Sequence, residues 1–280
     1  MKKDFWYCLT VVLSICTSLY GFQVDGDLAD WGVTPGSNLQ PNPGINSWIE
    51  DFVDYNNQGY VGPAYGGQPY DVEALYVTIE GGNIFFAMVL GMPPEGSYPV
   101  PRINNDYYYP GDLGLDLNGD GHFEYGIEFT GHSDNSPGGA PGNNSYTYDP
   151  TKIGNVYEIT NTQGWNKGLS ISDYAPTEIN YRKPQYLNLI GNTTVVYVQS
   201  SEPEHYVVET SIPLSWLQYD IGINWVFHWT MTCSNDIGEV MMIYTPYTPP
   251  TTTVPEPASL VLIGIAIVGI YIRKTKITVK

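Results

Sequence analysis

Apolar and polar residues alternate with period two along most of this chain, and the alternating runs are closed by Gly, Asn, Asp or Pro. That pattern predicts half-buried β-strands joined by tight turns rather than helices. Ala74–Glu80 and Ile84–Leu90 flank Gly81-Gly82-Asn83 and predict a hairpin. Asp112–Leu117 places Leu113, Leu115 and Leu117 on one face, and His122–Phe129 returns after an Asp/Gly turn. Thr194–Gln199 is expected to pair with His205–Ser211. The clearest strand is Ile223–Cys233, where Ile223, Trp225, Phe227, Trp229, Met231 and Cys233 point one way. The mostly polar Asn224, Val226, His228, Thr230 and Thr232 point the other way. Two such faces predict an outer strand of a sandwich. Glu239–Tyr244 ends the series, residues 213–217 read as a helical turn, and residues 91–111 and 131–150 read as long loops. The expected fold class is all-β, a two-sheet antiparallel β-sandwich (jelly-roll/Ig-like) over residues 22–245. No internal repeat suggests a propeller or solenoid.

The two ends break this pattern. Lys2 and Lys3 precede an apolar stretch, Phe5–Tyr20, with small residues near Ser18 and Gly21, which predicts a signal peptide over residues 1–21. Leu13-Ser14-Ile15-Cys16 has bulky Ile15 where a lipobox wants a small residue, so ordinary peptidase cleavage is expected. Near the other end, residues 246–254 form a stiff Thr/Pro linker. The apolar run that follows, Ala258–Ile272, is 15 residues long. A membrane span needs about 20, so this one reaches across only with help from Thr253, Val254 and snorkelling Arg273 and Lys274. Basic residues beyond it place the tail in the cytoplasm and the body outside.

Between the ends, residues 22–254 carry five basic residues against 27 acidic ones, a net of −22. That balance argues against nucleic acid or anionic lipid as a partner, because both need a cationic face. It suits a well-solvated acidic exterior and cation binding. Cys233 is the one body cysteine, Cys8 and Cys16 lying in the leader, so no intramolecular disulfide forms and a buried, inert thiol is expected.

The most explicit chemistry is Asp116-Leu117-Asn118-Gly119-Asp120-Gly121-His122-Phe123-Glu124. Oxygen ligands Asp116, Asn118, Asp120 and Glu124 stand at positions 1, 3, 5 and 9 of a calcium loop, with Gly121 at the sharp turn. The acid that closes an EF-hand at position 12 is replaced by Ile127, and the segment joins strands. It therefore reads either as half a calcium site, whose ion pins the hairpin, or as a plain Asp-Gly turn. His122, His132, His205 and His228 lack metal spacing, and no HExxH, GxSxG or phosphate-binding Gly loop occurs. No catalytic residue is nominated and no enzyme is expected. A glycan-active enzyme stays open as an alternative, with too many acids to choose a pair. Trp48, Trp165 and Tyr107, Tyr108 and Tyr109 read as loop aromatics, with Trp48 and Trp165 the candidates for ligand contact.

Two resemblances add to this. Val254-Pro255-Glu256-Pro257-Ala258, the apolar run and Arg273-Lys274-Thr275-Lys276 resemble the PEP-CTERM tail of exported bacterial proteins, over residues 255–280. The resemblance implies recognition at Pro255, Glu256 and Pro257 by an exosortase, transient anchoring through the C-terminal helix, and delivery to the cell envelope, surface or exterior. The alternative is a plain single-pass anchor that is kept. Val24-Asp25-Gly26-Asp27-Leu28-Ala29-Asp30-Trp31, Tyr206–Pro213 and His228–Asp236 resemble, in order, segments of family-9-like carbohydrate-binding modules and DOMON-type sandwiches. That likeness implies a sandwich whose relatives bind sugars, haem or other small ligands, or have no assigned ligand, and polysaccharide is the partner expected here. The expected function is a non-catalytic surface module binding carbohydrate or exopolysaccharide, or a structural acidic matrix protein with a calcium-pinned hairpin.

Overall fold

The computed structural model describes residues 21–50, 61, 66–98, 107–134, 146–167 and 176–246. The signal peptide (apart from Gly21), most of the linker and the sorting tail lie outside these residues. The chain divides into two compact units, Met1–Tyr244 and Thr245–Lys280. Among the described residues no helix is long and apolar enough to cross a membrane.

In chain order the strands are β1 (Asn46–Ile49), β2 (Val72–Glu80), β3 (Asn83–Leu90), β4 (Leu113–Asp116), β5 (Tyr125–Ile127), β6 (His132–Asp134), β7 (Tyr146–Tyr148) and β8 (Asn155–Ile159). They continue with β9 (Trp165–Lys167), β10 (Pro176–Ile179), β11 (Leu187–Asn192), β12 (Val195–Gln199), β13 (Tyr206–Pro213), β14 (Asn224–Thr230) and β15 (Ile237–Ile243). A five-stranded sheet runs β1-β2-β3-β13-β12 and a six-stranded sheet β11-β8-β5-β4-β14-β15, with β9-β10 and β6-β7 as separate pairs. All pairings are antiparallel. The expected hairpins β2-β3, β4-β5 and β12-β13 are present, and Leu214–Trp216 forms the helical turn after the Ile212-Pro213 corner.

The two large sheets enclose the main core. Leu75, Val77, Phe86 and Met88 of the first meet Leu113, Leu115, Trp225, Phe227 and Trp229 of the second. Phe86 and Phe227 pack edge to face, 5.2 Å apart. A bulge at Glu73 sets the register of β2. The extra residue lets Val72 and Leu75 face the same core despite their odd spacing.

Each sheet is also covered on its outer face. Leu28, Trp31, Val33 and Leu39 of the N-terminal segment lie on Ala74, Tyr76, Ala87, Val89 and Val207. Ile159, Trp165 and Ile179 form a third cluster on the second sheet. Trp165 lies so close to Gly126 that a Cβ there would come within 2.7 Å of the indole.

This layering corrects three expectations. β14 is not an outer strand: it lies between β4 and β15, and its polar His228 and Thr230 are buried. Residues 131–150 are not all loop, since β6 and β7 pair there. The acids are not all solvated: Asp71, Glu73, Asp112, Asp116, Glu128, Glu178, Glu209 and Asp236 are buried.

Those carboxylates act as acceptors between layers. Glu209 on β13 accepts Trp31 Nε1–H (2.9 Å) and the backbone N–H of Gly26 (2.6 Å) and Asp25 (3.2 Å), which fastens the N-terminal cover. Asp112 accepts from Phe129 N (3.2 Å) and Ile179 N (2.8 Å), which ties the β10 layer to β4. Glu128 accepts from Gly131 N and Tyr181 Oη, both at 2.8 Å.

Burial pushes the Glu209 carboxyl up from 4.5 to about 7, against the pull of the Gly26 N–H and Trp31 indole donors. A raised carboxyl contributes its stability in full below its unfolded value and loses it as pH rises through its folded value. Wild type should therefore lose stability between pH 4.5 and about 7 more steeply than Glu209→Gln, as read from urea midpoints. At low pH, Glu209→Ala should cost about 1–3 kcal/mol, because it leaves the buried Trp31 N–H without its acceptor.

Candidate functional site

The Asp-rich segment closes the β4–β5 hairpin, and its side chains build the turn. Asp116 Oδ1 accepts from Asn118 N (3.2 Å) and Gly119 N (2.6 Å), and Oδ2 from Gly121 N (2.9 Å). Asn118 Oδ1 accepts from Asp120 N (2.9 Å) and Asp120 Oδ1 from His122 N (2.8 Å). Gly119 and Gly121 hold φ of +74° and +82°, which glycine adopts without strain. Glu124 turns back so that its Oε2 accepts from Leu117 N at 3.0 Å.

This folding brings one carboxylate oxygen each of Asp116, Asp120 and Glu124 within 4.8 Å of one another. Oxygens sharing one calcium, each at 2.3–2.6 Å, stand at most about 5 Å apart, so the three fit a single ion. Glu124 Oε1 is buried with no hydrogen-bond partner and lies 3.8 Å from His122 Nδ1. Burial pushes the Glu124 carboxyl up to about 7; the Leu117 N–H opposes the rise, and Asp116 and Asp120 add to it. A divalent cation would relieve both the burial and the crowding.

A second group of acids escaped the sequence reading. Glu50, Asp71 and Asp236 also bring carboxylate oxygens within 4.8 Å of one another. Asp236 Oδ2 accepts from Val72 N at 2.6 Å, which joins the β14–β15 turn to β2. Burial pushes Asp236 up to about 9, with Glu50 adding to it. Positions 50, 71 and 236 share no local motif, so no spacing signal exists for this cluster.

The candidate tryptophans do not form a shared platform. Neither is in a loop: Trp48 is on β1 and packs against the main core, while Trp165 is on β9 in the third cluster. Trp165 is buried and donates its Nε1–H to Phe123 O at 2.9 Å. The structure instead aligns tyrosines. Tyr98, Tyr107, Tyr109, His132 and Tyr148 form a continuous row, with successive ring centroids 4.7, 5.2, 4.2 and 5.0 Å apart. Tyr148, at one end, is 60% exposed. The Tyr107–Tyr109 run was a usable signal for this row; the partners His132 and Tyr148 were not legible locally.

Comparison with known proteins bears on the tail. Residues 253–275 match the PEP-CTERM protein-sorting motif, a segment that includes Pro255, Glu256 and Pro257. The motif marks an exported, surface-sorted protein and implies processing by an exosortase. No curated protein and no solved structure matches the chain, so the likeness of the body to carbohydrate-binding and DOMON-type modules gains no support.

Because Trp165 is a packing residue, Trp165→Ala should destabilise the fold by about 3–5 kcal/mol, the range for truncating a buried aromatic. Denaturant unfolding of the variant checks this.

Proposed function

We propose that this exported protein is a non-catalytic module of the cell envelope or extracellular matrix that binds surface polysaccharide. The observation that carries the reading is the row of rings ending on exposed Tyr148. Aromatic faces suit sugar recognition because the flat C–H face of a pyranose meets the negative face of a ring. A glycan array probed with the full chain in detergent tests this: retention of at least one polysaccharide is expected, and retention of none would remove the reading.

The Asp116–Asp120–Glu124 convergence favours a second, compatible role as a calcium-stabilised structural component. Calcium would be held by these carboxylates, with Asn118 beside them on the same turn, and would pin the β4–β5 hairpin rather than take part in a reaction. A glycan-active enzyme finds less support, since buried Asp112, Glu128 and Glu209 are engaged by backbone and side-chain donors.

Two outcomes follow. At a hundredfold excess over Kd, calcium should raise the wild-type melting temperature by roughly 5 °C or more, and Asp120→Ala should abolish the rise. Because calcium needs the ionised Glu124, the rise should shrink as pH falls below about 7. Mass spectrometry of the surface-located protein should find a C-terminus cut near Pro255-Glu256-Pro257. An intact Lys280 would instead identify a retained anchor.

A further inference from the structure

Beside the row of rings a cleft of ≈ 480 Å³ opens between β12 and the β6–β7 pair. Its volume lies within the range of small-ligand sites, about 300–1,000 Å³. Phe129, His132, Tyr148 and Tyr197 give it aromatic walls, and Glu95 and Thr130 bring polar groups to them. Two walls are held rigidly. Tyr197 donates its hydroxyl to Met92 O at 2.8 Å, and the His132 ring stacks on Tyr109 at 4.2 Å and a 23° tilt. His132 Nδ1 is buried and has no hydrogen-bond partner. Burial holds the imidazole neutral, pushing it down to about 4.

We propose that this cleft is a subsite for one uncharged sugar ring of a polysaccharide, an assignment that rests on the glycan-binding reading above. Shape and wall chemistry select a ring with an apolar face, which stacks on Tyr148 while its hydroxyls meet Glu95 and Thr130. Charge selects further. The described lining residues include Glu95 and neither Lys nor Arg. A uronate ring would therefore meet the like charge of Glu95 with no Lys or Arg among the described lining residues, while a neutral hexose meets an acceptor for its hydroxyls. The acidic body, at −22 over residues 22–254, acts in the same direction at longer range.

The test is isothermal titration of the full chain in detergent with tetrasaccharides of glucose, galactose and galacturonate. Neutral tetrasaccharides should bind, and galacturonate should bind about tenfold more weakly or not at all. Tyr148→Ala should weaken neutral binding about fivefold to tenfold, Tyr148→Phe should leave it close to wild type, and Glu95→Gln should narrow the neutral-to-uronate gap. Tyr148 is exposed, so its truncation leaves the core intact, and an unchanged melting temperature confirms that. Neutral binding of equal strength in wild type, Tyr148→Ala and Glu95→Gln would overturn the cleft assignment and leave glycan binding standing. A preference for galacturonate would overturn the ligand class. Binding of no tetrasaccharide while the array still retains a polymer would overturn the single-ring subsite, and failure of both would remove the glycan reading itself.

Discussion

Buried carboxylates that accept hydrogen bonds from neighbouring layers hold this molecule together. Covering both faces of a sheet brings irregular backbone inside the protein, and its N–H groups must find acceptors there. A carboxyl group offers two acceptor oxygens and so serves several donors at once. Glu209 anchors the N-terminal cover, Asp112 the β10 layer, and Asp236 the β14–β15 turn to β2. At Glu73 the same device meets side chains: its Oε1 is 2.7 Å from Gln68 Nε2 and 2.6 Å from His205 Nδ1, and the bulge of β2 sets it there.

This design has an electrostatic cost. The body has five Lys and Arg residues for 27 acids, so guanidinium and ammonium groups are too scarce to neutralise its interior. Burial therefore raises several carboxyls, among them Glu209, Glu124 and Asp236. A proton relieves an isolated buried carboxyl. Where three carboxylates converge, as at Asp116, Asp120 and Glu124, a divalent cation would relieve them better, because it would satisfy several oxygens together.

Destination and body chemistry are written in separate parts of the chain. The sorting motif at residues 253–275 directs the protein to the surface and carries no information about the sandwich. The sandwich in turn uses its aromatic residues in two ways. Trp31, Trp165, Trp225 and Trp229 are buried in the clusters, where their area stabilises the layers. The tyrosine row ends on an exposed ring beside a cleft. Tyrosine suits that position because its body is apolar and its tip tolerates water.

The sequence alone determined what depends on near neighbours. Period-two runs around Gly81-Gly82 and Asp116–Gly121 specified hairpins, since alternation and turn chemistry act over a few residues. The Asp-rich spacing specified a convergent turn, and the Pro-Glu-Pro segment with its apolar and basic followers specified the address. Only the tertiary structure decided which faces are covered. Alternation shows that His228 and Thr230 share a face, but not that the chain at Pro176 lies over it. Nor does it show that Trp165 seals Gly126, that Glu50, Asp71 and Asp236 meet, or that His132 slots between Tyr109 and Tyr148. These arrangements join segments remote in sequence. Local pattern records only the preference of each face, whereas contact depends on which distant segment the folded chain lays against it.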